Sequence, residues 1–600
     1  MPQKIYLLIF TIAQLINVSC RQESNNSYGA GTKPIFSSSE YRQSLQGRFI
    51  REDTSYIIKP SAVENFDTLK YFYSTREYKP VFIKNFEDTS FMDSVLVIFS
   101  KAEEHGLQPA LYNFELIKDE YRKSLSGGES GYKHLANTEL LISDAMIKYA
   151  AHLRFGAVDP GKIFTDSYFL PVPDSSKREI LKPLYIENAL DYLKESAPKS
   201  PQYKKLQAAL VRFNELNKLE WERIPSTERK YKTGDKSPVF TKIAERLEAL
   251  GYLNKGTIVT DKFDTALVAP VKLFQRCNGL IDDGTIGKPT IEKLNTTPAE
   301  YIEKIKLSME RLRWSTYPDS SRYILVNIPD FYLHLIENGQ EKFNIKVCTG
   351  RKKPANFEER MKVYLKNHNW RSRPDDWETP QICGQVTHLV LNPTWTVPPS
   401  IIKEEIYREV VKDSAYLMKK NFKVFKNGKE VNVATVNLKK FSPNKIPYSF
   451  VQDPGAGNAL GKIKFMFKNK FGIYLHDTPT RGPFSNSVRA VSHGCMRVEK
   501  PFQLAEYLLK GHSKWNIDYI KIETGFAVAD NTKIAEFKQI RNELRRGSSY
   551  GKTTEVKLEQ NIPVFVDYYT AWVDDNGIVN FRSDVYGKDK ILSNHLFIQD

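Results

Sequence analysis

The chain has 600 residues, and 88 Lys and Arg against 71 Asp and Glu leave a formal charge of +17. That length is too great for one hydrophobic core, so three or four domains are expected. With 41% hydrophobic and 12% aromatic residues it is not a disordered chain, and the charge asks for an anionic partner or surface, nucleic acid being one candidate.

The N-terminus argues against nucleic acid. Lys4 precedes an apolar run, Ile5 to Val18, which has the length of a signal-peptide core and is too short for a mature membrane span. The run ends in Val18-Ser19-Cys20, and the polar residues that follow are expected to form a flexible tether. From 38 to 232 the spacing is helical: Ser90 to His105 stops at Gly106, Glu139 to Phe155 aligns Leu141, Ala145, Tyr149 and Leu153, and Pro201 to Leu219 aligns Leu206, Leu210 and Phe213. No catalytic constellation stands out there, which favours a scaffold with solvated charged faces. Two strings in it are E-H-G-L-Q-P-A-L-Y, from Glu104, and R-F-G-A-V-D-P-G, from Arg154.

Residues 233–298 read as three short helices. Ile243, Leu247 and Leu250 precede Gly251; Phe263, Leu267, Val271 and Phe274 precede Gly279; the third starts at Thr290, after the turn Asp282-Asp283-Gly284. This stretch contains F-D-x-A-L, F-Q-x-x-N-G-L and D-G-x-I-G-x-x-T. A linker helix over 299–320 then gives way to alternation, with strands predicted over Tyr323–Ile328, Phe331–Ile336 and Phe343–Cys348, the last two joined at Asn338-Gly339. Residues 351–378 are charged and without periodicity. Thr387–Leu391 is a further strand, and the prolines around Trp395 fit either a cleft wall or a buried structural indole. Residues 402–444 read as a helical, turn-rich insertion before a strand over Lys462–Phe467.

The chemistry concentrates in Tyr474 to Val498. A cysteine attacks as thiolate and needs a positive or proton-accepting neighbour. Cys495 is the candidate nucleophile, and His476, at the end of a strand predicted over Phe471–Leu475, is the candidate base. Gly494 permits a sharp turn, so backbone N–H groups near His493, Gly494 and Cys495 are the expected oxyanion donors. His493 is expected to serve the loop or oxyanion site and not as the base. Arg497 could fork a substrate carboxylate, with Tyr474 and Trp395 as further substrate contacts. A lone Cys and His also fit a buried thiol and a satisfied imidazole; the complete string is what favours catalysis. Of the other cysteines, Cys277 lies in a helical pattern as a small core residue, while Cys348 and Cys383 flank residues 351–378, where a disulfide and two free thiols are both open. Beyond the string, a charged helix is expected over Asp530–Arg546, then strands Ile562–Tyr569 and Ile578–Phe581 around the hairpin turn Asp574-Asp575-Asn576-Gly577.

H-D-T-P from His476, followed by R-A-x-S-H-G-C-x-R-V from Arg489, resembles the signature of the YkuD-type L,D-transpeptidases. The two scaffold strings, N-P-T-W-T-V-P-P-S-I from Asn392, I-P-V-F-V-D-Y-Y-T-A-W from Ile562 and F-R-S-D-V-Y-G from Phe581 resemble the large YcbB-type members. The three strings of 263–290 resemble the peptidoglycan-binding type 1 module, and Val18-Ser19-Cys20 resembles a bacterial lipoprotein acylation site. The resemblance implies a multidomain α+β protein: signal peptide 1–19, tether 20–37, helical scaffold 38–232, three-helix module 233–298, linker helix 299–320, a mostly β catalytic domain 321–525 with a mobile cap at about 402–444, and a C-terminal extension 526–600 completing the catalytic sheet. Residues 351–378 depart from the shorter loop the family leads one to expect.

It further implies a periplasmic enzyme, held to an inner or outer membrane by lipid on Cys20, that joins peptidoglycan stem peptides into 3–3 cross-links. Cys495 would form a thioester and His476 would move the protons, with no cofactor or metal, no nucleic-acid partner, and carbapenems as covalent inhibitors. Three alternatives stay open: an L,D-carboxypeptidase in which water resolves the thioester, a non-catalytic wall-anchoring lipoprotein, and a cysteine endopeptidase, which the absent Cys-Gly-x-Cys-Trp type of string weakens.

Overall fold

The structure, a computed structural model, describes residues 36–49, 57–58, 61–87, 89–226, 228–317, 322–369, 372–544 and 553–597. Cys20, the leader and nearly all of the tether lie outside the described residues. By internal contacts the chain divides into two units, residues up to 93 with 115–144, and residues 94–114 with 145–600. Both cuts fall within the stretch read as one scaffold.

The first unit is helical. Ser37 caps the helix Ser38–Gly47 by accepting from Glu40 N–H. A buried carboxylate organises the packing: Glu139 accepts from Val81 N–H at 2.6 Å, Ile83 N–H at 2.9 Å and the Tyr73 hydroxyl at 2.8 Å. Burial raises its pKa, and the donors around it favour the charge.

Three hydrophobic clusters of described residues stand out in the second unit. In one, the helices Pro201–Leu216, Val239–Ala249, Thr265–Cys277, Lys288–Leu294 and Pro298–Trp314 pack with the C-terminal hairpin Ala571–Val573/Val579–Phe581. Leu210, Phe213, Leu247, Phe274, Ile305, Val573 and Phe581 are among the side chains shared across that core. The partner of 579–581 is therefore 571–573, and the expected strand over 562–569 belongs elsewhere.

The second core is a ring of strands. We number them β1 Tyr323–Asn327, β2 Tyr332–Glu337, β3 Gln340–Gly350, β4 Gln381–Leu391, β5 Ile463–Phe467, β6 Leu475–His476, β7 Ala490–Ser492, β8 Met496–Val498 and β9 Thr554–Asp567. The order is β5-β6-β8-β3-β2-β1-β9-β4, and β4 also pairs with β5, so the sheet closes on itself. Strand alternation sends Ile324 and Val326, Leu333 and Leu335, Ile345 and Val347, and Val564 and Val566 into its core, all at most 1% exposed. The last strand, β9, runs parallel to β1 and antiparallel to β4, so the C-terminal extension sits inside the ring's pairing.

The insertion after β4 is not simply helical. It forms a four-stranded antiparallel sheet from Trp395–Thr396, Phe422–Lys426, Lys429–Val431 and Ser449–Gln452, with its own core of Ile402, Ile406, Leu417, Val424 and Phe450. Residues 351–378, though without apolar periodicity, contain the helix Phe357–Asn367. Cys348 and Cys383 are free thiols on β3 and β4, with Arg497 and Phe565 as their register partners, so no disulfide staples this segment.

Candidate active site

The register of three short strands builds the site. Lys464 of β5 pairs with His476 of β6, which pairs with Arg497 of β8. The neighbouring row, Phe465, Leu475 and Met496, is fully buried in the ring's core. Strand alternation therefore puts Lys464, His476 and Arg497 together on the opposite face. Tyr474 and Cys495 precede their strands by one residue each and belong to that face. Lys464 Nζ lies 3.8 Å from the Tyr474 ring centroid, and the Tyr474 and His476 rings stand 5.7 Å apart edge to face. The strand carrying His476 is only two residues long, shorter than the five predicted.

His476 is 5% exposed, and its Nδ1 is 2.5 Å from the carbonyl oxygen of Asp477. A carbonyl only accepts, so Nδ1 carries the ring proton and Nε2 keeps its lone pair in the neutral ring. Burial, with the charges of Arg497 and Lys464, pushes the His476 pKa down to about 3. Burial also raises the Cys495 thiol; Tyr474 and the Lys464 ammonium oppose that rise. Asp477 in turn is fixed by Lys462 N–H at 2.8 Å and Arg481 at 2.6 Å. Only glycine fits at 461, where φ is +62° and a Cβ would come within 2.3 Å of the Asp477 carboxylate.

The turn carrying Cys495 is fixed by its own backbone. Ser492 Oγ donates to Cys495 O at 2.5 Å and accepts from Gly494 N–H at 3.3 Å. Gly494 has φ +107°, a value suited to glycine. The His493 ring is held by the inserted segments: Nε2 lies 3.0 Å from Glu405 and 2.5 Å from Arg351, and the ring meets Trp377 edge-on at 4.8 Å. Glu405 belongs to a π-helical turn of the insertion, Ile402–Ile406, and Arg351 and Trp377 to the other inserted segment. Both insertions therefore meet beside the turn that carries Cys495.

Residues 321–517 match the family described as "L,D-transpeptidase catalytic domain", residues 238–294 the "Putative peptidoglycan binding domain" and residues 67–210 the "Scaffold domain". The chain carries a YkuD-type L,D-transpeptidase catalytic domain. A "Putative L,D-transpeptidase" of Haemophilus influenzae is 31% identical over 306 residues, which span about half of each protein (51% of this chain and 51% of that one). A crystal structure of an L,D-transpeptidase from Xylanimonas cellulosilytica aligns at 15% identity over 49% of this chain and 95% of its own, with a TM-score of 0.17, too low to carry an argument.

In the L,D-transpeptidase domain, the residues singled out from the sequence are only partly gathered. Cys495, His476, Tyr474 and Arg497 share one face. Trp395 instead pairs with Gln452 in the sheet of the insertion, 6.4 Å from the Phe422 ring. Gly494 N–H is already bonded to Ser492, which removes it from the expected oxyanion donors. Among the described residues, the Cys495 N–H has no protein acceptor. Sequence reasoning missed Lys464, the Asp477 carbonyl and Ser492. Lys464 is visible only through strand register, whereas Asp477 and Ser492 lie inside the H-D-T-P and S-H-G-C strings themselves. A cavity of about 1110 Å³ lined by Gln202, Lys205, Tyr317, Tyr569 and Trp572 contains none of the site residues. Among the described residues no group of three or more His, Cys, Asp or Glu could hold a metal, and no helix is long and apolar enough to cross a membrane.

Proposed function

We propose that the protein is an L,D-transpeptidase that forms 3–3 peptidoglycan cross-links through a thioester on Cys495. The supporting observation is the neutral His476, whose Nδ1–H is committed to the Asp477 carbonyl and whose Nε2 is available on the face that carries Cys495. Nε2 takes the thiol proton as Sγ bonds to the carbonyl carbon of the third residue of a tetrapeptide donor stem. The C–N bond to the terminal D-residue then breaks, and the same proton leaves with its amine. A side-chain amine of a second stem attacks the thioester and yields a proton to His476. The C–S bond breaks and the thiol is restored. Lys464 stabilises negative charge on sulfur, and the half-buried Arg497, on the same face, forks a stem carboxylate. The module at 238–294 holds the wall, and lipid on Cys20 holds the chain at a membrane facing the periplasm.

Incubation with tetrapeptide muropeptides and mass analysis tests this reading. Cross-linked dimers are expected. Trimmed tripeptides alone would make the protein a carboxypeptidase, and unchanged substrate would leave a wall binder. Cys495→Ala should abolish the products and any carbapenem adduct, while Cys277, Cys348 and Cys383 stay unmodified. His476→Ala should slow acylation by roughly 10²–10⁴-fold, the usual worth of a positioned proton-transfer group.

A further inference from the structure

The segment 351–378 has no part in the mechanism above, yet its two ends clasp the catalytic turn. At one end, Arg351 N–H donates to Ser492 O at 2.9 Å. At the other, the Thr379 hydroxyl donates to Gly494 O at 2.8 Å and accepts from Gly350 N–H, also at 2.8 Å. Thr379 is fully buried. The Tyr586 hydroxyl, from the C-terminal extension, locks the ends together by donating to Gly350 O at 2.6 Å and accepting from Thr379 N–H at 3.3 Å. The approach is so close that a Cβ at Gly350 would lie 1.7 Å from Trp377 O.

A trans peptide points its C=O and N–H in opposite directions. Holding Gly494 O against the buried Thr379 hydroxyl therefore turns the Cys495 N–H the other way, away from Thr379, and among the described residues that N–H has no protein acceptor. The neighbouring Gly494 N–H is engaged by Ser492. We propose that Thr379 is a positioning residue, which aims the Cys495 N–H at the oxyanion formed when Cys495 attacks a carbonyl. The inference rests on the acyl-transfer reading of Cys495. It also gives the long charged segment a role, since that segment delivers the clasp to the turn.

The variants Thr379→Ser and Thr379→Ala differ by one hydroxyl and separate this role from general packing. Full-length protein is acylated with a carbapenem and, separately, alkylated on Cys495 with iodoacetamide, which develops no oxyanion. Alanine is expected to slow acylation by about 10- to 100-fold, less than outright removal of an oxyanion donor, with alkylation and melting temperature nearly unchanged. Serine should stay within a few-fold of wild type. Acylation of the alanine variant at the wild-type rate, serine no better than alanine, or acylation and alkylation falling in parallel would each overturn the proposal. If alanine does not fold, Tyr586→Phe is read the same way. A wild-type protein that is alkylated but not acylated by the carbapenem counts against the proposed function. Acetyl transfer from p-nitrophenyl acetate to Cys495, which needs an oxyanion pocket but no stem peptide, then decides the role of Thr379.

Discussion

At His476 burial and two cations forbid the ring a proton, while at Cys495 burial holds the thiol protonated. The resting pair is thus neutral, and charge separates only as the nucleophile attacks. Alkylation of Cys495 by iodoacetamide should therefore climb through pH 9 with no plateau near neutrality; a plateau from pH 5 upward would reveal a preformed thiolate–imidazolium pair. Lys464→Gln removes the cation that offsets the burial of the thiol, so alkylation at pH 8 should slow by roughly 3- to 10-fold, equivalent to about half to one pKa unit. An unchanged rate would mean that Lys464 does not act on the sulfur. The dyad residues were legible because both stand inside one short string. Lys464 and Thr379 were not, because strand register and a backbone acceptor leave no local pattern to read.

Among elements, the β2–β3 hairpin carries a pH-sensitive tie. His334 bridges Asp330 at 3.0 Å and Glu341 at 2.6 Å. Burial opposes its charge, but the two carboxylates prevail and raise its pKa to about 9. A raised folded-state pKa means stabilisation fully present below the unfolded value of about 6.5 and lost as pH rises through 9, at most about 3 kcal/mol. The stability gap between wild type and His334→Gln should therefore be widest near pH 6 and shrink by pH 10 in urea titrations; a constant gap would refute the coupling. The insertion offers a second case. Glu405 joins its π-helical turn to His493 and Arg351, and the His493 contact lowers the Glu405 pKa. Glu405→Gln should speed hydrogen exchange across residues 399–412 without altering the ring strands. Equal exchange would show the latch to be incidental. Period-two alternation exposed β1, β2 and β3 in the sequence. The helix Phe357–Asn367 escaped because Phe357 is its single buried side chain, so no apolar stripe exists to be seen. The sheet of the insertion escaped because its strands are two to five residues long.

For the whole molecule, strand order makes the last residues indispensable. β9 lies between β1 and β4, so a chain ending at residue 544 loses that strand, opens the ring and uncovers Ile324, Val326, Leu389 and Leu391, all fully buried in the intact ring. Such a truncation should aggregate or melt without cooperativity; a soluble protein with wild-type acylation would contradict the closed ring. The mixed helical and sheet class was readable from the change of period near residue 320. The closure was not, since it needs β9 to return beside β1 and β4 from more than 150 residues away in sequence.

The helices of 239–294 share one hydrophobic core with the helix Pro201–Leu216 and the hairpin 571–581. Arg582 nails the joint, donating to Cys277 O at 2.8 Å and pairing with Asp330 beside β2 at 2.6 Å. A module with a private core on a loose linker would graze the surface around its anchor; this one cannot swing without tearing a core open. If that module grips a strand of wall, as proposed above, Cys495 stands at one set offset from the grip. The protein then works less like a fisherman on a line than like a pair of fixed calipers, and the spacing between holding point and reaction point is written into its packing.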